Sequence, residues 1–149
     1  MTTASAVPVR PVASRRVGYA VAVLIDAALL LLLNVSPGWS ALPFLTEGFA
    51  TVLPVVNLSL VVALLVNAVQ LVTDPAWLVA AGQLLNAAIA LIVSLRLLGV
   101  FPFDFSAYSW PWDTVITVIL WVGLIGSAIA IVVSVVRLVR AVTIAASEG

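Results

Sequence analysis

Residues 17–34 read VGYAVAVLIDAALLLLLN, an apolar run of helix length with one carboxylate, Asp26, at its middle. At about 1.5 Å per helical residue, such a run crosses a hydrocarbon core of about 30 Å. It reads as a membrane helix. A charge at that depth is costly, so Asp26 is expected to face other helices or water and not lipid, which makes it the first candidate for a functional group.

The rest of the chain repeats or flanks that pattern. Of its 149 residues 64% are hydrophobic and 8% charged, and the mean hydropathy is +1.31. Soluble globular domains carry about a quarter of their residues as charges, so a soluble fold is excluded. No polar stretch is long enough for a second domain. The chain has no Cys and no His, which removes thiol chemistry, Cys-ligated metals, the commonest metal ligand and the usual proton shuttle near neutral pH. No metal or other cofactor is expected. The 6 arginines and 6 acidic residues cancel, leaving no basic field for nucleic acid.

Three more spans follow, at about residues 49–72, 77–100 and 114–136. Residues 1–16 read as a disordered tail holding Pro8 and Pro11 and ending in Arg15 and Arg16. An arginine pair before an apolar run also marks secretory signals. Here the run is too long, contains Asp26 and is followed by further spans. Thr46 and Glu47 suit the start of the second span, and Pro54 falls in its first turns, where a missing donor costs little. Thr73, Asp74 and Pro75 form a minimal turn, with Asp74 as the expected N-cap and Pro75 at the first helical position. Asp113 is the expected cap of the fourth span, which Arg137 and Arg140 close, leaving 140–149 as a second tail. The expected fold is all-α: one membrane four-helix bundle over 17–139, built as two antiparallel hairpins.

Arginines orient the bundle. Arg10, Arg15 and Arg16 precede the first span and Arg137 and Arg140 follow the fourth, whereas the loops 36–48 and 101–112 hold none. Both termini are therefore expected in the cytoplasm, in a multi-pass protein of the plasma membrane. The second loop, FPFDFSAYSWPWD, has the composition of an aromatic belt at headgroup level. Arg96 sits near the outer end of the third span, within snorkelling reach.

Counting residues from the cytoplasmic ends at about 1.5 Å each puts Asp26, Asn86 and Ser127 in one layer about 13 Å deep. Asn67 and Gln83 lie slightly nearer the cytoplasm. Asn34, Asn57 and Arg96 form a looser outer group. Aligning the first span with the third at an offset of 60 residues sets DAALLLLLN on NAAIALIVS, so that Asp26 falls on Asn86 and Asn34 on Ser94. If that repeat is real, the hairpins are related by a pseudo-two-fold along the membrane normal, and Asp26 is expected to approach Asn86.

Two readings fit the inner layer. In one, Asp26 titrates at a proton or cation site with Asn86, Asn67, Ser127 and Gln83 around it. In the other, these groups hold helices together, at about 0.6 to 2 kcal/mol per interhelical bond. Gly123, Gly126, Ala130 and Ser134 form a small-residue stripe that permits close helix approach, within the bundle or toward another copy. The partners expected are the lipid bilayer and, as an open choice, a second copy or another membrane protein. No nucleophile with a base and no phosphate-binding loop is present, so no enzyme activity is expected. The sequons at Asn34 and Asn57 are accidental: Pro37 follows the first, and the second lies inside a span.

Through PGW at Pro37–Trp39, LPFLT at Leu42–Thr46 and VFPFDF at Val100–Phe105, the chain resembles a group of small four-span membrane proteins of actinobacteria, over roughly Arg16 to Arg140. That resemblance implies four spans and no particular activity. A looser likeness, to the small multidrug-resistance transporters, rests on four spans and an acidic residue in the first. Those proteins use glutamate where this chain has Asp26, and their outer loops are shorter.

Overall fold

The structure, a computed structural model, describes residues 11–149. Four helices account for most of them: α1 (Val12–Asn34), α2 (Phe49–Val72), α3 (Ala76–Val100) and α4 (Trp112–Ser147), with a short 3-10 turn at Trp39–Ala41 in the first loop. Their lengths of 23, 24, 25 and 36 residues correspond to about 34 Å or more each, enough to cross a bilayer core. The all-α four-helix fold expected from the sequence is present.

Helix ends differ from the expected ones in ways that local chemistry explains. α1 begins at Val12 and not at Val17, because Pro11, with φ −55° and ψ 144°, breaks the helix and nothing after it does. Residues 12–16 are thus helical and not tail; the expected disorder of residues 1–10 concerns residues outside those described. α4 continues to Ser147, past the expected end, since residues 137–147 contain no Gly or Pro. The supposed second tail is mostly helix. α3 starts at Ala76 with extended Pro75 as its N-cap residue, so Asp74 does not cap it. Its carboxylate pairs with Arg15 at 3.2 Å, tying α1 to the α2–α3 turn. Asp113 likewise lies in the first turn of α4, which begins at Trp112, where a carboxylate still faces the positive end of the dipole.

Each helix packs on its neighbour in sequence: α1 on α2, α2 on α3, α3 on α4. The α2–α3 approach is close because Gly82 has no side chain. A Cβ there would lie 2.6 Å from a Val66 methyl and 2.7 Å from the Gln70 amide nitrogen. The two long loops meet at the opposite end from the termini. Leu45 and Phe103 form an antiparallel bridge, with the Thr46 N–H donating to the Pro102 carbonyl at 3.0 Å and the Asp104 N–H to the Phe44 carbonyl at 2.9 Å. Phe44, Phe103 and Phe105 stack across the joint at centroid distances of 6.0 Å. Beneath it Phe49, Val52 and Pro102 are among the most buried side chains of the molecule. Asp104 accepts the Ser106 N–H at 2.9 Å, and that bond holds its carboxyl below the usual carboxylate range.

α1 has no buried residue and α4 only Ser134. Large apolar side chains such as Leu24, Ile25, Leu31, Val118 and Val122 stand exposed around them. Helices apolar on every face suit a bilayer, where lipid covers what water would expose at high cost.

Candidate functional site

The polar residues of the spans are sorted by helix pair. Between α1 and α2, half-buried Asp26 lies beside the Asn67 side chain, whose amide donates to the Ala63 carbonyl of its own helix at 2.8 Å. Further toward the loops, Asn34 and Asn57 bind each other reciprocally: Asn34 Nδ2 donates to Asn57 Oδ1 at 2.9 Å, and Asn57 Nδ2 to Asn34 Oδ1 at 2.8 Å. The second hydrogen of Asn34 Nδ2 reaches the Leu30 carbonyl at 2.9 Å. Amides serve well here because each offers donors and an acceptor, and hydrocarbon supplies neither.

Between α3 and α4 runs a groove of about 560 Å³ lined by Gln83, Asn86, Ser127 and the small residues of both helices. Gln83 Oε1 accepts from Arg137 Nη1 at 3.3 Å. The inner layer is therefore not one cluster. Asp26 and Asn86 were expected to approach each other, but Asp26 belongs to α1, which packs on α2, while Asn86 lines the groove against α4, of which Asp26 is not a lining residue. The division follows from the order of packing, in which α1 rests on α2 and α3 on α4. A regularity survives it: Asp26 and Asn67 of one hairpin stand at the same offset of 60 residues from Asn86 and Ser127 of the other. Both pairs lie across the seam of their own hairpin.

Arg96, in the expected outer group, is exposed on α3 and makes no hydrogen bond or ion pair among the described residues. The stripe on α4 faces α3. Ser134 is buried, a Cβ on Gly123 would sit 3.4 Å from Ser94 Oγ, and a Cβ on Gly126 would meet nothing within 4 Å. Gly126 and Ala130 thus open the groove and do not close a helix contact.

Three features were not read from the sequence. Gln70 is only 5% exposed, and its Nε2 has no hydrogen-bond partner among the described residues; its position three residues after Asn67, on one helical face, was the available signal. Gly82 as the α2–α3 contact had no marker beyond being the one glycine away from the ends of these two helices. The convergence of Arg15 with Arg137 and Arg140 on a second cavity of about 450 Å³ joins residues from opposite ends of the chain. Among the described residues no group of three or more His, Cys, Asp or Glu could hold a metal ion. No protein-family model matches the chain, and neither does any curated protein or solved structure compared with it.

Proposed function

We propose that this chain is a non-enzymatic multi-pass protein of the plasma membrane, with both termini in the cytoplasm, acting through helix association or as an accessory subunit of a larger membrane assembly. One observation carries the reading: Asp26, in the α1–α2 seam, lines neither of the two cavities along the α3–α4 seam. A coupling group for transport needs access to water from both sides in turn. The unpartnered apolar faces of α1 and α4 supply surface for another membrane helix. The orientation is supported by Arg15, Arg16, Arg137 and Arg140 standing at the end of the termini, against Glu47, Asp104 and Asp113 at the loop end. The likeness of the loops to small four-span proteins of actinobacteria accords with this reading and adds no activity to it.

The second reading, a small proton-coupled transporter, is favoured by one fact: an amide at position 26 would join helices at less cost than a carboxylate. Asp26→Asn separates the two. The substitution is expected to change stability by less than about 1 kcal/mol, and vesicles containing the wild type are expected to show no proton-dependent flux. A wild-type flux that Asp26→Asn abolishes would establish the transporter instead.

A further inference from the structure

Two cavities meet at the end of the α3–α4 seam nearest the termini. The groove of about 560 Å³ rises from there toward Gly123, and the cavity of about 450 Å³ is walled by Arg15, Asp74, Arg137 and Arg140 among others; Gln83 and Arg137 line both, so one leads into the other. The lining holds three guanidinium groups and one carboxylate. Arg15 is paired with Asp74, Arg137 donates to the uncharged Gln83 amide, and Arg140 makes no ion pair or hydrogen bond among the described residues. Two cations there lack a counter-charge.

We propose that this seam binds one anionic phospholipid. Its phosphate lies between Arg137 and Arg140, where guanidinium forks match phosphate oxygens and each cation favours an anionic headgroup. Gln83 and Asn86 come next along the groove and can donate to the ester carbonyls. Beyond them Ala87, Ala90, Gly126 and Ala130 leave a small-sided apolar trough for an acyl chain. From Arg137 to Gly123 the trough follows α4 for about 21 Å, longer than one leaflet of a core about 30 Å thick. The sequence of charge, hydrogen-bond donors and apolar trough repeats the sequence of phosphate, esters and chain in the lipid. A free anion would leave the trough unfilled, and a zwitterionic lipid brings its own cation to the arginines. The proposal requires the chain to be embedded in a bilayer and does not depend on its lacking catalysis.

Native mass spectrometry of the full chain in detergent, with equal amounts of dioleoylphosphatidylglycerol and dioleoylphosphatidylcholine added, tests it. The wild type is expected to retain one phosphatidylglycerol in preference by about tenfold. Arg140→Gln, which removes no hydrogen bond or ion pair seen among the described residues, is expected to cut that preference by about fivefold. Gly126→Leu, which places a side chain in open space, is expected to reduce retention of the lipid with the charges intact. Circular dichroism checks that both variants remain helical; should Gly126→Leu fail to fold, the wild type and Arg140→Gln decide the matter. Equal retention of the two lipids by the wild type, preference unchanged in Arg140→Gln, thermal stabilisation by sodium phosphate equal to that by the lipid, or a lipid-free dimer would each overturn the site.

Discussion

Asn34 at the end of α1 and Asn57 in α2 exchange two hydrogen bonds, at 2.9 and 2.8 Å, so that each amide is donor and acceptor to the other. Replacing either by Leu removes both cross-helix bonds and leaves its partner's amide without them, although Asn34 keeps its bond to the Leu30 carbonyl. Each single variant is expected to lose about 1 to 2 kcal/mol, and the double variant less than their sum, giving a coupling of about 0.6 to 2 kcal/mol. Unfolding of the four variants of this cycle in mixed micelles measures it. Additive losses would mean that the two amides act independently.

Gly82→Ala is expected to destabilise by about 1 to 3 kcal/mol, since the new methyl group meets the Val66 side chain at 2.6 Å and that of Gln70 at 2.7 Å and these side chains or α2 itself must shift. Gly126→Ala meets nothing within 4 Å and is expected to fall within about 0.5 kcal/mol of the wild type. The same thermal unfolding assay compares the two. Equal effects would show that α2 and α3 do not approach at Gly82.

Gln70→Met is expected to be neutral or to stabilise. A buried donor without a partner costs about 1 to 3 kcal/mol, and Met retains most of the volume while filling irregular space. A loss above about 1 kcal/mol would show that the amide has found a partner.

Because the chain has no Cys, single cysteines report topology cleanly. A cysteine at Ser106, in the second loop, is expected to react with an impermeant maleimide added to intact cells, and one at Ala146, near the end of α4, only after lysis. The reverse pattern would invert the orientation proposed from the arginines.

The Arg15–Asp74 pair is partly exposed, at 37% and 20% of the two side chains, so Asp74→Asn is expected to cost no more than about 1 kcal/mol, and less in high salt. Comparing wild type and variant in 0.05 M and 0.5 M salt checks both parts. A larger, salt-independent loss would assign Asp74 a role beyond the pair.

The number and place of the spans were legible in the chain because apolar length is a one-dimensional property, and Pro75 and the aromatic loops punctuate it. Helix ends were less so, since the apolar run stops at Val136 while the backbone of α4 has no cause to stop before Ser147.

Azimuth was decided only by tertiary structure. Outside its few polar and small residues, a span that is apolar on every side carries no signal for which face turns inward, and lipid accepts any apolar face equally. The rotation of each helix is set by its contacts: Gly82 against Val66 and Gln70, Asn34 against Asn57, Gln83 against Arg137. Those contacts divided the polar layer between two hairpins and turned Asn86 and Ser127 toward a groove that ends at Arg137 and Arg140. The sequence by itself determined how many spans there are and which polar groups each one carries, through apolar length and hydropathy. Which of them meet was left to packing, because meeting requires the rotation about each helix axis, and a uniformly apolar surface encodes none.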